Sequence, residues 1–350
     1  MNKNARQPTL KDVARLAGVS YQTVSNVVNR ETRVSEETRG RVLSAISELG
    51  YQPHAAARSL RSGRSRMIGL IMPDAQNPHF WATVSGAEEE ALQNGYSLIL
   101  ATTAMDQARE VQAFAALTQQ DLDGLIPFLT YPENFVEELV ELPRRGVPVA
   151  LSASGAFMPD IEIDIVHMHF EDAARELMEH LLDLGHRRIA MIWGVGRSEL
   201  ANDRVTAYRQ ALELAGLPFD PRLLVTCHHN LRDGFQAAEQ LLTLQPRPSA
   251  IIGINDLMAF GALQACLRHG LQVPRDISIA GFDDVPMSSL LSPPLTTGRA
   301  DGAEIGRQCV RLILERIRNP GLPPQRIHLP TRLIVRGSTG PCRIPEEYGR

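Results

Sequence analysis

The stretch "TLKDVARLAGVSYQTVSNVVN", Thr9 to Asn29, places two short helical patterns on either side of one glycine. Thr9 suits an N-cap, with Asp12 three residues on and apolar Leu10, Val13, Leu16 and Ala17 following at helical spacing. Gly18 suits the left-handed residue that closes such a helix, and Ser20 caps a second one almost at once. Val24, Val27 and Val28 line one side of this second helix. Its other side carries Tyr21, Gln22, Ser25, Asn26 and Asn29, which offer donors and acceptors but no charge. Two helices joined by so short a turn form a helix-turn-helix, whose second helix is presented to a DNA major groove. A polar uncharged face matches base edges: Gln and Asn pair bidentately with adenine, and Tyr or Ser reaches other edges or phosphates. Ser35 caps a third helix, Glu36–Leu49, ended by Gly50, with Val42, Leu43 and Ile46 expected to close a small core over Val24 and Val28.

Charge follows the same division. Residues 1–66 hold twelve Lys/Arg against five acids, a balance of +7, whereas the remaining chain carries −11 of the net −4. A basic head on an acidic body implies a polyanion partner for the head alone. At 350 residues, with 43% apolar and 22% charged side chains, the chain has material for two or three globular domains. No apolar run approaches the roughly 20 residues of a membrane span, and the first residues lack a signal-peptide core. Cys227, Cys266, Cys309 and Cys342 lie far apart, which argues against a disulfide framework or a cysteine zinc site. A cytoplasmic, nucleoid-associated protein is expected.

From Met67 onward short apolar runs alternate with amphipathic segments. "MIGLIM", "SLILAT", "GLIPFL" and "VPVALS" read as buried parallel strands, and "RIAMIWG", "LLVTC", "SAIIGI" and "ISIAGF" form a second such series. The fold class is therefore α/β: a helical head followed by two doubly wound lobes, with ligands expected beyond the carboxyl ends of the strands.

The opening stretch, with "VSEETRGRVLSAISELGYQPHAAARSLRSGRSRMIGLIMPD", "NPHF", "LGHRRIA", "INDLMAFGAL", "ISIAGFDDV" and "RLIVRGST", resembles the lac repressor/galactose repressor family of bacterial transcription regulators over nearly the whole chain. The resemblance implies a helix-turn-helix head over 1–52, a hinge helix or linker over 53–65 and a two-lobed core like the periplasmic sugar-binding proteins. That core divides into 66–163 with 294–323 and 164–293 with 324–340, leaving a tail at 341–350. Crossings between the lobes are expected near 162–165, 291–295 and 322–327. By position, Tyr21, Gln22 and Asn26 would read bases, while Thr9, Ser20, Thr23, Ser25 and Asn29 would cap or position phosphates. In the segment "HAAARSLRSG" the resemblance implies a minor-groove helix, with Leu60 wedged between base pairs, Ala57 allowing close approach, and Arg58 and Arg61 at phosphates.

For an effector, the resemblance points to Phe80, Arg204 and Asp283 in the loops that face the cleft. A flat ring suits a sugar face or a base, although Phe80 would equally serve as lobe core. Arg204 suits paired hydroxyls or a carboxylate, or else a surface ion pair. Asn255 and Asp256 open a helix, either as ligand contacts or as its cap. The Asp-Asn pair that many relatives carry at the cleft wall falls here on Met168-His169, so His169 joins the candidates. His167 and His169 alone, with no carboxylate or third histidine nearby in sequence, do not make a metal site, and none is expected. "GVGRSE" lacks the third glycine of a dinucleotide fingerprint. No cofactor is expected, only a small-molecule effector, a sugar before a nucleobase. The tail shows no leucine heptads, so no tetramerising coiled coil is expected. The expected protein is a homodimeric repressor on double-stranded operator DNA. An enzyme on the same scaffold would leave the basic head unexplained, and no nucleophile elbow or P-loop is present. A transport-type binding protein would require an export signal.

Overall fold

The computed structural model describes residues 8–28, 34–51, 64–154, 161–194 and 203–343. The chain forms two compact units, Met1–Ser65 and Arg66–Arg350.

In the first unit, helices α1 (Leu10–Ala17), α2 (Tyr21–Val28) and α3 (Glu36–Leu49) follow the capping signals. The Thr9 amide and hydroxyl both donate to the Asp12 carboxylate, at 2.9 and 2.6 Å. Gly18 and Gly50 end α1 and α3 at φ +64° and +58°, conformations that cost glycine little. The Ser20 hydroxyl accepts from the Thr23 amide at 3.0 Å, starting α2 directly after the turn. Val13, Val24 and Val42 are fully buried, joined by Val27, Ala45 and Tyr51. Leu43 departs from the expected core and is 53% exposed. On a helix, one residue beyond Val42 turns roughly 100° away from the core, so Ala45 and Tyr51 fill the place given to it.

Among the described residues the second unit has one six-stranded sheet and two three-stranded sheets, the latter two joined by isolated bridges. Strands β1 (Met67–Met72), β2 (Ser97–Thr102) and β3 (Gly124–Pro127) run in the order β2-β1-β3. Parallel bridges at Leu125–Val149 and Phe128–Ser152 continue them into β4 (Ala150–Ser154), β5 (Asp164–Met168) and β11 (Arg326–Leu329). The six-stranded sheet has the order β12-β10-β9-β8-β6-β7, built from β6 (Ile189–Gly194), β7 (Leu224–Cys227), β8 (Ala250–Gly253), β9 (Ser278–Asp283), β10 (Thr296–Arg299) and β12 (Arg332–Ile334). Within it β12 alone is antiparallel to its neighbour. Helices α4 (Pro78–Gln93), α5 (Gln107–Thr118), α6 (Val136–Arg144) and α11 (Gly302–Arg318) belong to the first lobe, and α7 (Glu171–Asp183), α8 (Asp203–Leu214), α9 (Leu231–Leu242) and α10 (Asp256–Arg268) to the second.

Strand membership moves the lobe boundaries. Asp164 pairs with Ala150 and Ile165 with Arg326, so β5 closes the first lobe instead of opening the second. Thr296 pairs with Ala280, which keeps β10 in the six-stranded sheet. The crossings therefore follow Met168 and Arg299 and lie between Leu329 and Arg332, a few residues beyond the expected positions. Apolar runs mark strands but not their neighbours, and hydrogen-bond pairing decides the assignment. After the second crossing, α11 packs on α4 at backbone distance. A Cβ on Gly86 would lie 1.9 Å from the Ala303 carbonyl oxygen, and one on Gly306 would lie 2.0 Å from that of Thr83.

Candidate nucleic-acid interface and effector cleft

On α2 the side facing away from the head core carries Tyr21, 45% exposed, with Gln22 also exposed and Asn26 half-buried. Gln22 Nε2 donates to Asn26 Oδ1 at 2.9 Å, which holds the two amides side by side. The Thr23 and Ser20 hydroxyls lie 2.9 Å apart at the start of the helix. Thr9 is engaged with Asp12 at the start of α1. Ser25 is a correction: it is only 2% exposed and belongs to the buried side of α2, so it cannot position a phosphate. Asn29, Ala57, Arg58, Leu60 and Arg61 lie outside the described residues.

The lobes meet where strands end. Asn77 caps α4 by accepting from the His79 amide at 3.0 Å, and its own amide donates to the Asp283 carboxylate across the cleft at 3.0 Å. His79 Nδ1 stands 3.8 Å from the other Asp283 oxygen. Asp283 and Asp284 have φ of +117° and +52°, left-handed backbone that non-glycine residues adopt only under constraint. Arg336 supplies part of that constraint, donating to Asp284 at 2.6 Å and to the Leu295 carbonyl at 2.9 Å. Aromatic rings continue the junction. Phe80 packs edge-on to Phe128 at 5.2 Å, and His79 lies 5.3 Å from Phe80 and 6.4 Å from Phe170. Phe170 in turn meets Phe282 at 5.7 Å, with the Arg204 guanidinium 4.6 Å over its face. Arg204 also donates to the Ile254 carbonyl at 3.1 Å and lies 3.7 Å from Asp203, so it is an oriented, half-buried group.

Asn255 takes the capping alternative: its side chain accepts from the Met258 amide at 2.8 Å. Asp256 is corrected. It is fully buried, and its oxygens accept from Ser288 at 2.5 Å, Thr297 at 2.6 Å and the Val285 amide at 3.0 Å, leaving nothing for an effector. Its role is to brace the turn after β9 that presents Asp283. Burial, reinforced by the nearby Asp283 carboxylate, pushes its pKa up to about 8.

Beside this junction lies a cavity of about 290 Å³, lined by His79, Asp283, Asp284, Arg299, Asp301 and Arg336 among others. Asp283 is the only expected effector residue on its wall; Phe80, His169, Arg204, Asn255 and Asp256 are not part of its lining. Asn77, His79, Phe170 and Arg336 were missed from sequence. Only "NPHF" hinted at the first two, through its capping asparagine.

His169 stands apart from that cavity. Its ring centroid lies 3.4 Å from that of His167 and 5.6 Å from that of His328 on β11. The third histidine that sequence proximity did not supply is therefore present, brought in by strand pairing of His167 with His328.

Residues 9–54 match the model of bacterial regulatory proteins of the lacI family, and residues 178–339 match the periplasmic binding protein-like domain. The chain is 37% identical over 330 residues to the ribose operon repressor of Escherichia coli (strain K12), covering 94% of this chain and 99% of that protein. It is 36% identical over 335 residues to the HTH-type transcriptional regulator DegA of Bacillus subtilis (strain 168), covering 95% of this chain and 98% of that one. Among solved structures it is similar to a lac repressor dimer bound to operator and the anti-inducer ONPF. That similarity has a TM-score of 0.79 at 29% identity, over 96% of this chain and 100% of the other. No described helix is long and apolar enough to cross a membrane.

Proposed function

The chain belongs to the lacI family of bacterial regulatory proteins, and from that premise we propose that this transcriptional repressor binds a palindromic operator as a homodimer and releases or grips it in response to a sugar. The observation that carries the reading is α2. Its Tyr21, Gln22 and Asn26 form an uncharged face, held by the Ser20 cap and by the amide pair at 2.9 Å. Such a face suits base edges better than bulk water, and the basic balance of the head supplies phosphate attraction. Two heads on one palindrome raise each other's effective concentration, which a lone small head needs for specific affinity. Leu60, with Ala57, Arg58 and Arg61, belongs to the proposal as the minor-groove wedge and its flanks, and Asn29 as a phosphate contact.

A sugar is the effector class favoured by the ribose operon repressor among the relatives. It also suits a cavity whose wall offers the Asp283 carboxylate beside the Arg299 and Arg336 guanidinium groups. Binding between the lobes biases their arrangement and thereby the paired heads, so effector and operator affinities are coupled reciprocally. Footprinting of the purified protein on DNA flanking its own gene tests the operator reading; a uniform pattern with no protected palindrome would refute it. Melting in the presence of a panel of pentoses, hexoses, disaccharides and purines tests the effector. A ligand at about 100 times its Kd adds roughly 2.7 kcal/mol to the native state. Shifts by purines alone would replace the sugar by a nucleobase.

A further inference from the structure

We propose that His167, His169 and His328 form a binding site for one first-row divalent transition metal ion, of which zinc is the best fit. Two adjacent parallel strands build it. His167 on β5 pairs in register with His328 on β11, so their side chains leave the same face of the sheet. His169 follows one residue past the end of β5, and its ring stacks on that of His328 at 5.6 Å. One ring nitrogen from each of the three lies within 4.8 Å of the others. Zinc bonds imidazole nitrogen at about 2.0–2.1 Å and prefers tetrahedral angles, which calls for nitrogens roughly 3.3 Å apart.

The His328 ring centroid lies 5.6 Å from those of both His167 and His169, so the three rings converge on one point of the sheet face. Nδ1 of His169 is buried with no hydrogen-bond partner among the described residues, a cost that a coordinating ion removes. Burial is graded: His167 is buried, His169 half-buried and His328 exposed. An ion thus has an entry route from solvent and a walled inner side. Three neutral imidazoles favour zinc, nickel or copper over calcium or magnesium, which select oxygen ligands, and they leave a fourth position for water.

The position has a mechanical consequence. β5 runs directly into the first lobe crossing and β11 into the third, where the Thr331 hydroxyl donates to the His169 carbonyl at 2.6 Å. A metal bridging these strands ties two of the three connections together just before they leave the first lobe.

Equilibrium dialysis of untagged, chelator-stripped full-length protein against zinc ion tests the proposal, with cobalt substitution as a spectroscopic check. The expected result is about one zinc per chain and a tetrahedral cobalt absorption band, with affinity reduced about 100-fold or more by His328→Ala and by His169→Gln. His328 is exposed, so its variant retains the fold, verified by an unchanged melting temperature in chelator. Zinc should raise the melting temperature of the parent and not that of His328→Ala. Failure of the parent to bind stoichiometric zinc would overturn the site, as would equal binding by His328→Ala.

Discussion

The side-chain amide of Asn77, at the cap of α4, donates to the carboxylate of Asp283, at the end of β9, across 3.0 Å. These residues are 206 positions apart and sit on opposite lobes. The same asparagine caps α4 through its other side-chain atom, so one residue sets both the helix start and the contact between lobes. Hydrogen bonds to carboxylates contribute about 1.5–3 kcal/mol when buried. Asn77→Ala should lower unfolding free energy by an amount in that range, read by denaturant titration, and should weaken the coupling of effector to operator. Unchanged stability and coupling would show that the latch is idle.

Asp256 yields a pH prediction. Its folded pKa of about 8 exceeds the ordinary 3.8, so across that window the folded state holds a proton that the unfolded chain has lost. Its stabilising contribution is complete below the unfolded value and disappears as pH rises through 8. Asp256→Asn should therefore remove a downward slope of stability between about pH 4 and 8. Equal slopes for parent and variant in urea titrations at pH 5 and pH 8 would contradict this. His186, between Ser249, Ser278 and the Gly340 carbonyl, has its pKa lowered by burial. It contributes in the opposite sense, with stability present above its ordinary 6.5 and lost as pH falls.

On the recognition helix, Gln22→Ala and Asn26→Ala should each cost about 1–3 kcal/mol of operator affinity and relax preference at one base pair. Ser25→Ala should leave base preference and affinity intact, because its side chain is buried in the head. Leu60→Ala should abolish tight operator binding while the core still melts as the parent does. Mobility-shift titrations on a set of operator variants separate these effects, and a uniform loss of affinity across all variants for Ser25→Ala would restore it as a phosphate contact.

Two glycines should respond with opposite sign. Gly306→Ala drives a Cβ into the Thr83 carbonyl and should destabilise by about 1–3 kcal/mol. Gly40→Ala, inside exposed α3 with open space around it, should stabilise the head by about 0.5–1 kcal/mol. Calorimetry on both variants reads the difference directly.

Local chemistry alone determined the head and the strand inventory. Thr9, Gly18, Ser20, Ser35 and Gly50 act through caps a few residues away, and runs such as "MIGLIM" are apolar because both faces of their strands are covered. The bidentate donors of Gln22 and Asn26 are likewise visible from residue type and spacing. Only tertiary structure decided that β5 and β10 change lobes from the expected division, that Asp256 braces a turn, and that Asn77 reaches Asp283. The same holds for His328, which lies opposite His167 through strand pairing across 161 residues of chain. Caps and periodicity are short-range properties of the backbone. Pairing between distant strands depends on which neighbour each edge meets after collapse, and no local spacing encodes that choice.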